Sequence, residues 1–170
     1  MFNLAAYYKL IEEDRNEHIN LFKLVEEGIF HEEYCDDTWS PEIIFRHLIS
    51  TLNWFKNLVP NIEFDDTKLG FKYGTLPEDT VSLEDLEKDF NRMSESIREG
   101  IEKMTPEQEE EEIDSGFGKR SRARMIAGLL NHESNHLGQA MWIFKRKTGW
   151  TDQEIREKLY GVQSKEEKEG

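Results

Sequence analysis

The chain has 170 residues, of which 36 are acidic and 22 are basic, so its formal net charge is −14. A chain of this length forms one domain with a core of its own. Its single cysteine, Cys35, excludes an internal disulfide framework and favours a reducing cytoplasm. The acidic balance argues against nucleic acid and against an anionic membrane surface as partners, because both attract basic faces. No stretch of the sequence is apolar enough to span a membrane.

Two amphipathic helices are predicted in the first third of the chain. The first covers about residues 4–27, where apolar residues recur every three or four positions. The second begins at Ser40 and Pro41, because serine caps a helix and proline suits its first position, and it ends before Pro60. Residues 61–81 then form a connection that is long for a bundle. It allows a short hairpin around residues 71–73 and is typical of a lid or a binding loop.

Two more long helices and a short one are predicted after residue 81. The third helix begins near Ser82 and has the most regular apolar periodicity of the chain. The fourth runs from about Ser121 to Lys147, and a capped fifth begins at Thr151. Because four apolar stripes must be buried on one another, we predict an all-α, up-down four-helix bundle with a short fifth C-terminal helix and a long loop between helices 2 and 3.

The sequence predicts a folded domain followed by a disordered C-terminal tail. We place the bundle domain at residues 1–162 and a charged, disordered tail at residues 163–170. Residues 107–114 contain six acidic side chains in eight positions, and we interpret this acidic run as a solvated segment between the third and fourth helices.

Three of the five histidines lie on apolar stripes. His132 and His136 are four residues apart on the predicted fourth helix, so they share one face and can reach one metal ion at about 2.0–2.1 Å each. His47 lies on the stripe of the second helix, which a bundle can bring opposite the pair. Three neutral imidazoles leave coordination positions open, as in catalytic metal sites, and imidazole suits zinc, nickel, iron or copper. The alternative is that the three histidines are hydrogen-bonded core residues.

The segment 132–136 also matches the H-E-x-x-H signature of zinc proteases, in which the glutamate is the general base. The longer metzincin signature fails, because Gln139 and Trp142 replace the required glycine and histidine. A zinc protease is therefore the weaker hypothesis. Glu133 remains a candidate catalytic residue beside the metal, as a proton acceptor, and the alternative is a surface residue one position off the stripe.

The sequence resembles the DinB/YfiT-like superfamily of metal-binding four-helix bundles in two segments. The matching residues are the helix start Trp39-Ser40-Pro41-Glu42 with His47 behind it, and, 85 residues after that histidine, the segment His132-Glu133-Ser134-Asn135-His136-Leu137-Gly138-Gln139. The resemblance covers residues 4–160. Many members have arginine after the last histidine, where this chain has Leu137, a departure that lies outside the metal ligands.

The resemblance implies a divalent metal ion held by His47, His132 and His136, often in a homodimer. We favour zinc or nickel over iron or manganese. Characterised relatives include thiol-dependent S-transferases and isomerases that use bacillithiol, mycothiol or glutathione, and others are described as metal-dependent hydrolases. The implied protein is thus an enzyme acting on a small molecule, in which the ion lowers the pKa of a bound water or low-molecular-weight thiol. The family name refers to DNA damage and hence to stress response, but the net charge argues against contact with DNA.

Two points stay open in the sequence. Arg122 and Arg124 belong to a basic patch at the start of the fourth helix, where they can hold carboxylates of a thiol cofactor or pair with the acidic run just before them. The alternative to an enzyme is a non-catalytic bundle in which the metal or the histidines only stabilise or sense. An open apolar-walled pocket at the metal would favour the enzyme, and a filled, dry core would favour the bundle.

Overall fold

The helices of the predicted bundle are present in a computed structural model, which describes residues 3–36, 38–72, 74–114 and 118–161. The seven α-helices are α1 (Leu4–Phe22), α2 (Glu27–His31), α3 (Pro41–Leu52), α4 (Leu83–Glu102), α5 (Pro106–Glu110), α6 (Arg122–Thr148) and α7 (Asp152–Tyr160). A 3-10 helix, Asn53–Asn57, continues α3. The short strands β1 (Glu112–Asp114) and β2 (Lys119–Ser121) pair in antiparallel fashion. The predicted all-α fold is confirmed.

Local capping explains where the helices begin. The hydroxyl of Ser40 accepts the amide of Ile43 at the start of α3, and Ser82 caps α4 in the same way. Thr151 and Glu154 form the expected capping box of α7. The predicted first helix ends earlier than expected, at Phe22, and the short α2, which was not predicted, begins at Glu27.

Two further expectations concern the loops. Phe71 and Lys72 form no strand, and Tyr73, the third residue of the hairpin considered there, lies outside the described residues, as does the tail 163–170. The strand pair instead joins the end of the acidic run to the start of α6. No helix in the described part of the chain is long and apolar enough to cross a membrane.

Four helices, α1, α3, α4 and α6, form the bundle, and each packs against two others. Contacts between named residues give their directions. Arg15 meets Glu133 and Phe22 meets Phe144, so α1 and α6 are parallel. The contacts Glu12–Arg98 and Lys23–Glu87 show that α4 is antiparallel to α1. The contacts His47–His132 and Leu58–Arg122 show that α3 is antiparallel to α6. Helices α3 and α4 are therefore parallel, in agreement with the contact of Glu42 with Val81 and the position of Val59 beside Gly100. The order of directions is therefore up, down, down, up, which refines the predicted up-down arrangement.

Candidate metal centre

The three histidines of the predicted site come together at the α3–α6 interface. His47 projects from the middle of α3, and His132 and His136 project from successive turns of α6. The Nε2 atom of His132 lies 3.2 Å from the Nε2 atom of His47 and 3.2 Å from that of His136. One ligand atom from each residue lies within 4.8 Å of the other two. The antiparallel packing of two helices thus joins residues that are 85 positions apart in sequence.

The spacing of these nitrogens fits a shared metal ion. Two nitrogens that bind one ion at about 2.0–2.1 Å in tetrahedral geometry lie about 3.3 Å apart. Hydrogen bonding explains the cluster less well, because the Nε2 of His132 faces two other Nε2 atoms and a single proton can serve only one of them. The Nδ1 of His132 is buried and has no hydrogen-bond partner among the described residues.

The protonation state of the cluster also suits a metal ligand. Burial, followed by the neighbouring imidazoles of His136 and His132, lowers the pKa of His47 to about 4. Burial lowers the pKa of His132, with a further contribution from His136. Burial lowers the pKa of His136 as well, against the opposing effect of its hydrogen bond to Gln139. All three rings are therefore neutral near pH 7, with lone pairs available for a cation.

Neighbouring side chains orient two of the rings. The Nδ1 of His136 lies 2.8 Å from the Oε1 of Gln139, and donation to this oxygen leaves the lone pair on Nε2. The indole of Trp39 stacks on the ring of His136, with 6.1 Å between centroids and 13° between planes, and it also contacts the ring of His47. Aromatic packing and one amide thus hold the Nε2 atoms toward a common point.

A cavity of about 1250 Å³ opens beside the three histidines. Its apolar wall comes from Trp39, Trp54, Phe71 and Leu129, and its polar lining includes Asn53, Lys56, Asp66 and Lys72. The amide oxygen of Asn53 is buried and has no hydrogen-bond partner among the described residues. The site therefore meets a roomy, partly aromatic pocket of the kind that binds small molecules.

The connection between α3 and α4 forms one wall of this cavity and is held in place from α3. The hydroxyl of Ser50 donates to the carbonyl of Phe71 and accepts its amide, at 3.1 and 2.8 Å. Gly70 lies against the same serine, where a Cβ atom would be 2.3 Å from the hydroxyl oxygen. The buried Arg46 donates to the carbonyls of Leu69 and Asp79, at 2.7 and 2.8 Å. The connection, expected as a lid or binding loop, is a tethered wall.

The structure places Glu133 in the core of the bundle. Its side chain is 3% exposed, and one carboxylate oxygen accepts a hydrogen bond from the Nε of Arg15 at 2.5 Å. The same arginine donates to the hydroxyl of Ser94, beside Tyr8. Glu133 does not line the cavity, and the interpretation of this residue as a surface side chain is wrong.

The core stripe of α6 is shifted by about one residue from the expected one, which runs through Leu129, His132 and His136. The histidines lie at its edge, and its centre is the series Ile126, Leu130, Glu133, Leu137, Ala140 and Phe144. The sequence contains a signal for this network, because Arg15 follows Tyr8 and Ile11 at helical spacing on an otherwise apolar stripe. A charged residue at a core position implies a buried partner of opposite charge.

The two arginines predicted to hold a cofactor lie outside the cavity lining. Arg122 donates to the carbonyls of Leu58 and Gln108 and pairs with Glu111 at 2.6 Å, so it joins the acidic run to the end of the 3-10 helix. Arg124 is exposed at the start of α6. For Arg122, the structure supports pairing with the acidic run.

Comparison with known proteins gives two similarities. The family model described as the DinB superfamily matches residues 10–140. The crystal structure of a DinB-like protein from Bacillus subtilis superimposes with a TM-score of 0.60 and 18% sequence identity, and the match covers 89% of this chain and 95% of that one. At this identity the likeness concerns the fold alone. No curated protein matches the chain in sequence.

Proposed function

The chain belongs to the DinB superfamily, and on this basis we propose that it is a metal-dependent enzyme acting on a small molecule. His47, His132 and His136 are the proposed ligands of one divalent ion, with zinc or nickel favoured by the imidazole donors. When bound, the ion supplies Lewis acidity, which activates a low-molecular-weight thiol or a water molecule for an S-transferase or hydrolase reaction.

The observation that carries the proposal is the convergence of three neutral imidazoles on one point. The 3.2 Å separations between Nε2 atoms match the distance expected between two nitrogens bound to one ion. The lowered pKa values of the three histidines keep their lone pairs free at neutral pH. Gln139 fixes the tautomer of His136, as a partner of a metal ligand does. The convergence of three ring nitrogens is what a shared cation needs, and a hydrogen-bonded core histidine does not need it.

The cavity supports catalysis over a purely structural metal. Three protein ligands leave at least one position of a tetrahedral ion open. His47, His132 and His136 all line the 1250 Å³ cavity, so a molecule in it can reach that position. The alternative, a non-catalytic bundle stabilised by the metal, predicts an enclosed site with a fourth protein ligand, and no fourth histidine, cysteine or carboxylate joins the three among the described residues.

The zinc protease alternative meets a specific obstacle at Glu133. A general base of that type must reach a water on the metal. Here one carboxylate oxygen is committed to Arg15 in the core, and the side chain is absent from the cavity lining. We therefore do not assign Glu133 to proton transfer in the proposed reaction.

Elemental analysis of the purified protein tests the proposal. We expect about one divalent ion per chain in the wild type and a loss of most of it in His132→Ala. His31→Gln is the matched control, because His31 pairs with Glu42 and lies outside the cluster. Equal metal content in wild type and His132→Ala overturns the site.

Conjugation assays with bacillithiol, mycothiol and glutathione, run beside ester hydrolysis, then separate the transferase from the hydrolase.

A further inference from the structure

We propose that the cavity takes an elongated small anion, whose metal-binding end lies at the three histidines and whose negative charge is met by Lys72 and Lys56 of the cavity lining. This inference rests on the proposed metal site and deepens it by naming the charge and the shape of the substrate. It places the anion-binding groups on the 3-10 helix and the α3–α4 connection, not on the arginines at the start of α6.

The charges around the cavity favour an anion although the whole chain is acidic. The ionisable side chains of its lining, apart from the histidines, are Lys56, Lys72 and Asp66. Neutral imidazole ligands leave the full positive charge of a divalent ion uncompensated. The cavity is thus a positive region in a chain of net charge −14, and its partly apolar walls strengthen the field within it.

The two lysines differ in how far they are already engaged. Lys56 pairs with Asp66 and lies over the ring of Phe64, 4.5 Å from its centroid. Lys72 is exposed on the cavity wall and forms no ion pair with any described residue. Lys72 is therefore the free counter-charge, and Lys56 is a second one whose strength Asp66 reduces.

The distance between the two ends of the cavity sets the shape of the ligand. Lys56 follows His47 by nine residues along α3 and the 3-10 helix, which corresponds to about 15 Å of rise. The lining of the same cavity includes the apolar side chains of Phe71 and Trp54 and the unpartnered amide oxygen of Asn53. A ligand that fills this space has a metal-binding atom, an apolar body that can carry an N–H or O–H group for Asn53, and a negative charge for the lysines.

The wall that carries Lys72 is held firmly enough to act as a binding surface. The neighbouring Phe71 is bonded to Ser50 through both its amide and its carbonyl. The ring of Phe71 packs against Trp39 and His47, with 5.9 and 6.2 Å between centroids. The position of Lys72 relative to the histidines is thus fixed through its neighbour, so that binding needs little ordering of the backbone.

A pair of probes that differ only in charge tests the inference. Isothermal titration calorimetry of the zinc-loaded protein, with zinc content measured beforehand, compares 8-mercaptooctanoate with 8-mercapto-1-octanol. Both carry the same metal-binding thiol on an eight-carbon chain. We expect the carboxylate to bind about fivefold more tightly at low salt, and the preference to shrink at high salt.

Variants locate the charge that discriminates. Lys72→Gln is expected to remove most of the preference for the carboxylate, and Asp66→Asn to increase it by freeing Lys56. Lys68→Gln is the matched control, because Lys68 is exposed on the same connection and does not line the cavity. The preference should survive in this control.

The outcomes separate the two proposals. If the zinc-loaded wild type binds both thiols equally, or if Lys68→Gln loses the preference as fully as Lys72→Gln does, the anion site is overturned and the metal site stands. If the wild type holds no zinc, or if His132→Ala binds both thiols as tightly as the wild type, the proposed metal function is overturned.

Discussion

Arg15 on α1 and Glu133 on α6 form an ion pair of 2.5 Å in the centre of the bundle, where neither side chain is more than 3% exposed. Glu133 directly follows one of the proposed metal ligands in sequence and precedes the other by three residues. The pair therefore ties the helix that carries His132 and His136 to α1, and the ligand face of α6 depends on a charge contact on the adjacent face of the same helix.

Removing one partner of this pair is expected to destabilise the protein strongly. Glu133→Leu leaves the guanidinium of Arg15 buried and unpaired, at a cost of about 3–5 kcal/mol in the free energy of unfolding. The double variant Arg15→Met with Glu133→Leu should recover much of this loss, since no buried charge then remains. Urea denaturation of the wild type, the double variant and the two single variants, Glu133→Leu and Arg15→Met, measures the coupling. Additive effects of the two substitutions would contradict a direct pair.

Removing the amide partner of His136 is expected to weaken metal binding while the fold is kept. Gln139→Leu deprives the Nδ1 of His136 of its acceptor, so zinc affinity should fall about 10–100-fold. Gln139→Glu restores an acceptor and is expected to retain most of the affinity. Competition with a chromophoric chelator gives the dissociation constants. Equal affinity in the leucine variant and the wild type would show that the contact is dispensable.

The metal-free protein should lose stability as the pH falls from about 6.5 to about 4. The unfolded imidazole takes up a proton near pH 6.5, whereas burial and its neighbours hold the pKa of His47 in the folded protein at about 4. Between these values the unfolded state binds more protons, so the free energy of unfolding rises with pH. Thermal melts of the chelator-treated protein across this range test the sign.

The variant His47→Gln supplies the comparison for this pH dependence. Part of the slope should disappear in it, because one of the titrating groups is gone. A slope in His47→Gln equal to that of the wild type would assign the pH dependence to other groups.

Replacing Gly70 and replacing Gly138 with alanine should change the stability of the protein in opposite directions. At Gly70 a Cβ atom would be 2.3 Å from the hydroxyl oxygen of Ser50 and 3.3 Å from its Cα atom. Gly70→Ala should therefore displace the cavity wall and cost about 1–3 kcal/mol. Gly138 lies in α6 with open space around the position of a Cβ atom, and Gly138→Ala should stabilise the protein by about 0.5–1 kcal/mol. Chemical denaturation of both variants tests the contrast.

The sequence was informative where the cause of the structure is local. Ser40, Ser82 and Thr151 each supply the hydroxyl that satisfies a free amide of their own helix, so the helix starts could be predicted. His132 and His136 could be paired because four residues make about one helical turn. The contact of this pair with His47 could be predicted as soon as α3 and α6 were assumed to pack against each other.

The sequence was less informative where several faces of a helix are apolar. Leu129 and Leu130 are both apolar but point about 100° apart on α6, so the sequence did not show which of them faces the core. The stripe through Leu129 was chosen, and the core position of Glu133 was therefore missed. The direction of α4 was also undetermined, because neither helix propensity nor periodicity depends on which way a helix runs in the bundle. Only pairs of contacts between distant residues, such as Glu12 with Arg98 together with Lys23 with Glu87, decide it.

The parallel pairing of α3 and α4 makes the long connection between them unavoidable. The chain leaves the 3-10 helix near Gly100, at the end of α4, and must travel back along the bundle to begin α4 beside Glu42, whose carboxylate accepts the amide of Val81. A lid that is added to a finished domain can be shortened without changing the direction of any helix. This connection cannot, because a tight turn in its place would reverse the direction of α4. Any variant of the bundle that keeps α3 and α4 parallel must therefore keep a connection long enough to run along the cavity.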